Sequence, residues 1–164
     1  MTATLILPLH NRRLSKLRRR KGMTALEVAI AIGAGLLFLA AAAYGVIRYL
    51  DNMRYNTLTR LAGDQMVSVL GQVYGQQGTL ASLTTAAGVG IISGMGVNPN
   101  TPWGGAWTVK TAGTQNTVQL QYPLGGNQLA TQGPAIAANL GTQYPMMTCT
   151  FTSPNLLCSY NMAQ

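Results

Sequence analysis

Acidic residues, histidine and cysteine are scarce in this 164-residue chain, which contains three Asp or Glu residues, one His and two Cys. The acids are Glu27, Asp51 and Asp64, and His10 lies in a basic N-terminal segment. These residues cannot assemble a Ser-His-Asp triad or a pair of catalytic carboxylates after that segment. The cysteines lack the second pair of ligands that a zinc site requires. We therefore expect no enzymatic activity, no catalytic residue, no metal site and no cofactor.

Basic residues are more frequent, but most of them lie in one short segment. The formal net charge is +8, and seven of the eleven Lys and Arg residues occur within ten positions: Arg12, Arg13, Lys16, Arg18, Arg19, Arg20 and Lys21. From residue 23 onward four basic residues accompany three acidic ones, so the rest of the chain is nearly neutral. Because the charge is local, we predict no direct binding to nucleic acid. The chain length suits one folded domain.

A long apolar run follows the basic cluster. Residues 28–47 contain no charged side chain, and twenty residues at about 1.5 Å each span the roughly 30 Å hydrocarbon core of a bilayer. Only two basic residues, Arg48 and Arg54, occur in the ten residues after the apolar run. Since positive flanks stay in the cytoplasm, the N-terminus is predicted to be cytoplasmic and the C-terminal part exported. Two alternatives remain: a secretory signal cut near "AAAAYG" at 40–45, and a plain single-pass anchor.

Glu27 lies at the edge of this apolar run, where a carboxylate needs an explanation. A charged residue in a membrane helix costs up to about 3 kcal/mol and usually has a partner. No Lys or Arg inside the run can serve as that partner. The simplest interpretation is an interfacial Glu that is favoured by the positive end of the helix dipole.

The order of residues around Glu27 points to a more specific interpretation. The basic segment ends in "KGMTALE" at 21–27, immediately before the apolar run, and this arrangement resembles the processing site of type IV prepilins. The resemblance implies that a prepilin peptidase of the inner membrane cuts between Gly22 and Met23. It also implies N-methylation of Met23 and identifies Glu27 with the family's characteristic glutamate at mature position five. The leader of 22 residues and the mature N-terminal Met resemble the type IVb subclass.

Cleavage would create an α-amine at Met23, which is a cation that the precursor lacks. We expect this amine to pair with Glu27 of a neighbouring subunit, because a carboxylate left buried and unpaired is heavily penalised. The resemblance thus implies copies of this chain in a helical filament as partners, together with the peptidase and the pilus assembly machinery. It places the chain in the inner membrane of a Gram-negative bacterium first, and in an extracellular pilus afterwards.

The exported part is predicted to combine helix and sheet. Apolar residues at helical spacing extend one helix over residues 24–75, and a short helix is expected after Thr79. A glycine-rich loop should follow at 88–105, ending in a "TPWGGAW" turn whose Trp103 and Trp107 are expected to anchor the sheet on the helix rather than bind a ligand. Residues 132–144 are expected to form a short helix or a loop. Alternating residues predict antiparallel strands at 107–111, 117–123, 147–153 and 156–162.

The cysteines, Cys149 and Cys158, lie in the last two predicted strands. In an oxidising compartment they are expected to form a disulfide that closes the hairpin, the alternative being two free thiols. The turn near Trp103 and this C-terminal pair also resemble pilin features.

The predicted fold class is α+β: a long N-terminal helix packed on a small antiparallel sheet, as in pilins. The predicted segments are a cleaved leader (1–22), a membrane and filament-core helix (23–50) and an exported head (51–164). The predicted function is that of a structural subunit, expected to be the major pilin of a type IVb pilus with roles in adhesion, aggregation or mating contact. A secretion pseudopilin or minor pilin and a non-polymerising membrane-anchored protein are the alternatives.

Overall fold

The computed structural model describes residues 24–163, and the chain divides into two units between Ala40 and Ala41. The fold is α+β, as predicted. Its elements are α1 (Ala25–Arg60), a π turn (Leu61–Gln65), α2 (Met66–Gln77), α3 (Gly88–Gly94), β1 (Thr108–Thr111), β2 (Thr117–Pro123), α4 (Leu129–Gln143), β3 (Met147–Thr152) and β4 (Asn155–Asn161). Gly22 and Met23 lie outside the described residues.

The helical segment from α1 to α2 confirms the prediction of a helix over 24–75, with one interruption. It ends at Gly78, which adopts φ +67° and donates its N–H to the carbonyl of Tyr74 at 2.7 Å. Glycine takes this left-handed conformation at little cost, so it is a common helix terminator. The apolar residues of the second half, including Leu58, Met66 and Leu70, are fully buried in the head.

The four strands form an antiparallel sheet in the order β1-β2-β4-β3. Burial alternates along both central strands, as expected when one face of a sheet covers a core. The buried side chains of β2 are Val118, Leu120 and Tyr122, and those of β4 are Leu156, Cys158 and Tyr160. They belong to the same hydrophobic core as the buried residues of α1 and α2.

The interruption in the long helix is a π turn that the sequence analysis did not predict. The N–H of Met66 donates to the carbonyl of Leu61, five residues back. The carbonyl of Ala62 instead accepts a hydrogen bond from the buried hydroxyl of Tyr160 at 2.8 Å. A side chain of the sheet therefore supplies a bond to the helix backbone where the regular helical pattern is broken.

A second tyrosine packs against the same turn. The ring of Tyr144 occupies the space where a side chain at Gly63 would project, and its hydroxyl donates to Asp64. Tyr144 is only partly buried. Its hydrogen bond to Asp64 and, after that, its partial burial raise the pKa of the phenol. The π turn is thus contacted by β4 through Tyr160 and by the residue after α4 through Tyr144.

The segment between α2 and β1 differs from the prediction. Thr79 does not begin a helix, although its hydroxyl accepts the N–H of Ala81 at 3.1 Å as a cap would. The N–H of Leu80 instead donates to the carbonyl of Gln115 at 3.1 Å, and the segment continues as turns. The next helix is α3, inside the segment predicted as a loop, and the hydroxyl of Thr84 accepts the N–H of Ala87 just before it. Burial of Ile92 in the core stabilises this glycine-rich helix, which is an effect of tertiary packing that helix propensity does not reveal.

The predicted turn near the tryptophans is confirmed. The N–H of Gly104 donates to the carbonyl of Thr101 at 2.9 Å, and Gly104 adopts φ +84°. The ring of Trp103 lies 4.9 Å from that of Tyr55 on α1, measured between centroids. Trp107 is fully buried. These contacts agree with the predicted anchoring role of both tryptophans.

Two buried phenols make the stability of the fold sensitive to alkaline pH. The hydroxyls of Tyr122 and Tyr160 lie 2.7 Å apart in the core, and burial raises the pKa of both phenols well above the usual value. The unfolded chain would release these protons from about pH 10 upward, while the folded chain keeps them. The stabilisation is therefore complete below about pH 10 and falls as the pH rises further, by up to about 1.4 kcal/mol per pH unit for each phenol.

Chemical denaturation at a series of pH values checks this expectation. The free energy of unfolding should be level below about pH 9 and decline steeply above about pH 10. The Tyr122→Phe variant should show a shallower decline, because it has one buried phenol fewer. Equal slopes for the two proteins would contradict the assignment of the effect to this pair.

Candidate assembly site

Glu27 and Thr24 form a reciprocal cap at the start of α1. The carboxylate of Glu27 accepts the backbone N–H of Thr24 at 2.8 Å, and the hydroxyl of Thr24 accepts the N–H of Glu27 at 3.3 Å. The carbonyl of Thr24 accepts the first helical hydrogen bond, from Val28 at 3.1 Å. This is a capping box, in which the N-cap and the third helical residue satisfy each other's free N–H groups.

The cap is a partner for Glu27 that the sequence analysis missed. The pattern Thr-x-x-Glu directly before an apolar run was the signal that could have revealed it. The cap engages one carboxylate oxygen, and a carboxylate has about four acceptor positions. The predicted cleavage between Gly22 and Met23 would leave the amide of Thr24 in place, so capping and the predicted contact with a Met23 amine are compatible. That contact stays a prediction.

The helix after Glu27 is apolar and exposed. Every residue from 24 to 50 is exposed, and among the large side chains Leu37 and Phe38 reach 75% and 76% exposure. The helix from Ala25 to Gln77 is long and apolar enough to cross a membrane, with a mean hydropathy of 2.2 over its most apolar window. A membrane anchor and a signal sequence both contain such a helix.

Burial along the helix begins at Asp51, which is only 3% exposed. One carboxylate oxygen of Asp51 accepts the N–H of Asn127 at 3.0 Å, and the other lies 3.8 Å from the guanidinium of Arg54. One turn further on, the hydroxyl of Tyr55 donates to the carbonyl of Gly125 at 2.9 Å. Burial and the nearby charge of Asp51 raise the pKa of the Tyr55 phenol. These polar contacts attach the loop after β2 to the helix.

Cys149 and Cys158 form a disulfide, as predicted. They face each other across the β3–β4 hairpin, with Cα atoms 4.1 Å apart. Cys158 is fully buried in the core. The bond thus joins the edge strand β3 to the central strand β4 close to the C-terminus.

Within residues 24–163, no three His, Cys, Asp or Glu side chains are grouped closely enough to hold a metal ion. The candidate site therefore consists of the capped Glu27 and the exposed apolar helix that follows it. Comparisons with family models, with curated proteins and with solved structures find no match for this chain.

Proposed function

We propose that this protein is a structural subunit, and specifically the major pilin, of a type IVb-like pilus. The observation that carries the proposal is the helix α1, which has Glu27 in its first turn. It is apolar and exposed over residues 28–47, and its continuation is buried in the core of a small head that contains a disulfide. The prepilin-like "KGMTALE" sequence at 21–27 ends in the first turn of this helix.

An exposed apolar surface of this length is expected to be buried against a membrane or another protein surface. Contiguous apolar patches larger than a few hundred Å² mark membrane or protein contacts, and burying one large aliphatic side chain contributes about 1.5–3 kcal/mol. In the proposed function the bilayer covers the helix before assembly, and the helices of neighbouring subunits cover it within the filament. The same side chains are then buried in both states, which makes transfer from membrane to filament energetically feasible.

Glu27 is proposed to set the register of each incoming subunit. Its carboxylate pairs with the methylated α-amine of Met23 on a neighbouring chain, while the capping box keeps the first helical turn formed. An ion pair removed from water gains little net affinity, but breaking one leaves an uncompensated charge. Subunits docked out of register are therefore disfavoured more strongly than correctly docked ones are favoured.

The alternatives predict different products. A pseudopilin or minor pilin would be cut after Gly22 but would not form long filaments composed mainly of this chain. A single-pass anchored protein would retain residues 1–22, and a secretory protein would begin after the segment 40–45. Electron microscopy of material sheared from cells separates a major pilin from the other possibilities.

Intact mass spectrometry tests the first step. The chain purified from cells with an active prepilin peptidase should begin at Met23 and carry one additional methyl group. A Gly22→Leu variant is expected to retain residues 1–22, because the peptidase would have to accept a bulky side chain at the cut. Retention of the leader in the unaltered protein would refute the proposal, and a start after residue 40 would indicate a secretory signal.

A further inference from the structure

A cavity of about 310 Å³ lies beside the π turn in the head. Its volume is at the lower end of the range found for small-molecule sites, which suits a ligand the size of a single sugar ring. The helix contributes one wall and the loop 98–102 the other. The polar side chains that line it are Thr57, Arg60, Gln65, Asn98, Asn100 and Thr101.

The loop wall is held in place by its own hydrogen bonds. The carbonyl of Asn98 accepts the indole N–H of the buried Trp107 at 2.7 Å, and its side-chain oxygen accepts the N–H of Asn100 at 2.9 Å. The N–H of Thr101 donates to the carbonyl of Gly105 at 2.8 Å. Because this wall is already ordered, less binding free energy is spent on ordering the protein when a ligand binds.

The helix wall depends on the π turn. Arg60 and Gln65 are five residues apart, and in a regular α-helix they would point about 140° away from each other. A π turn bonds residues five apart, as Met66 and Leu61 are here, and so brings such pairs to one face. The π turn thereby allows a guanidinium and an amide to line the same cavity.

The charge and the hydrogen-bonding groups of the cavity indicate which kind of ligand it can bind. Arg60 is the only charged residue in its lining, and within residues 24–163 the one ion pair joins Arg54 to Asp51 rather than involving Arg60. Thr101 is 4% exposed, and its hydroxyl has no hydrogen-bond partner among the described residues. Because the oxygen of this hydroxyl is buried, the ligand contacts fall to Arg60 and to the amide side chains of the lining.

We propose that this cavity binds an acidic sugar, with the carboxylate on Arg60 and the ring hydroxyls on the surrounding polar side chains. Guanidinium and carboxylate match in a bidentate geometry. The amides of Gln65 and Asn100 both donate and accept, which suits sugar hydroxyls, whereas a fully ionised phosphate would use only their donors. This proposal does not depend on polymerisation, because every residue involved lies in the head.

Calorimetric titration of the full chain in detergent micelles tests the site. Glucuronate should bind at least tenfold more tightly than either glucose or inorganic phosphate. Arg60→Gln should weaken glucuronate binding tenfold or more. Arg54→Gln is the matched control, because it removes an exposed arginine that is paired with Asp51 elsewhere, and it should leave binding unchanged.

The other outcomes overturn the proposal in distinguishable ways. Equal affinity for glucose would exclude recognition of the carboxylate, and equal affinity for phosphate would identify an inorganic-anion site. No binding, or unchanged binding by Arg60→Gln, would exclude the site itself. A Gln65→Ala variant provides a second test, with an expected loss of threefold or more, and circular dichroism verifies that each variant is folded. Filament formation is scored separately, so failure of the pilin proposal would not be mistaken for failure of this one.

Discussion

Cells that produce the Glu27→Gln variant are expected to cleave the leader normally and to form no filaments. Glutamine keeps the side-chain oxygen that accepts the Thr24 N–H, so the capping box survives. What disappears is the negative charge. In the assembled filament the methylated amine of Met23 would then be buried without a counter-ion. Breaking one side of a buried pair costs about 3–5 kcal/mol, which is roughly a hundred- to several-thousandfold in the association constant at every subunit added.

Thr24→Ala is the matched control for this substitution. It removes the capping hydroxyl, at a cost of about 1 kcal/mol to the helix, but keeps the charge of Glu27. This variant should still assemble, with at most a reduced yield. Intact mass reports cleavage, and electron microscopy of sheared material reports filaments. If Thr24→Ala abolished filaments while Glu27→Gln did not, the cap rather than the charge would be the feature that assembly requires.

Tyr160→Phe is expected to lower the free energy of unfolding by about 2–4 kcal/mol. The hydroxyl donates to the carbonyl of Ala62 in the π turn and lies next to the hydroxyl of Tyr122, and all of these groups are buried. Its removal leaves a backbone carbonyl and a phenol without this partner inside the core, and each unsatisfied group costs about 1–3 kcal/mol. Denaturant unfolding followed by tryptophan fluorescence measures the loss, since Trp107 lies in the same core.

Tyr74→Phe is the control, because it removes a similar hydroxyl from a less buried place. The hydroxyl of Tyr74 donates to the side chain of Asn116 at 3.2 Å, in a half-buried position where water can replace it. Its loss should cost no more than about 1 kcal/mol. Equal losses in both variants would mean that the hydrogen bond to the π turn contributes nothing specific to stability.

The sequence predicted the features that depend on local periodicity and composition. Helical spacing of apolar residues indicated the helix over 24–75, and alternation indicated the strands that became β1 to β4. The disulfide was predictable because Cys149 and Cys158 occur in adjacent strands joined by a short turn. The membrane-spanning length of the apolar run was equally predictable, because recognising it requires only a count of uncharged residues.

Other features were decided by packing between distant parts of the chain. The glycine-rich residues 88–94 form α3 because Ile92 is buried in the core. No helix starts after Thr79, where the N–H of Leu80 donates to the carbonyl of Gln115. Asp51 is buried, and the loop at Asn127 donates a hydrogen bond to its carboxylate. None of these outcomes follows from neighbouring residues, because the stabilising partner lies far away in the chain.

The sequence by itself determined a basic N-terminal segment, an apolar helix with Glu27 near its start and a small α+β head with one disulfide. Only the tertiary structure decided how that helix is held in the head. A π turn interrupts it because the hydroxyl of Tyr160, 98 residues away, takes up the carbonyl of Ala62. The physical reason is the range of the interactions: helix and strand patterns repeat over a few residues, whereas a buried hydroxyl finds its acceptor only when the chain has folded.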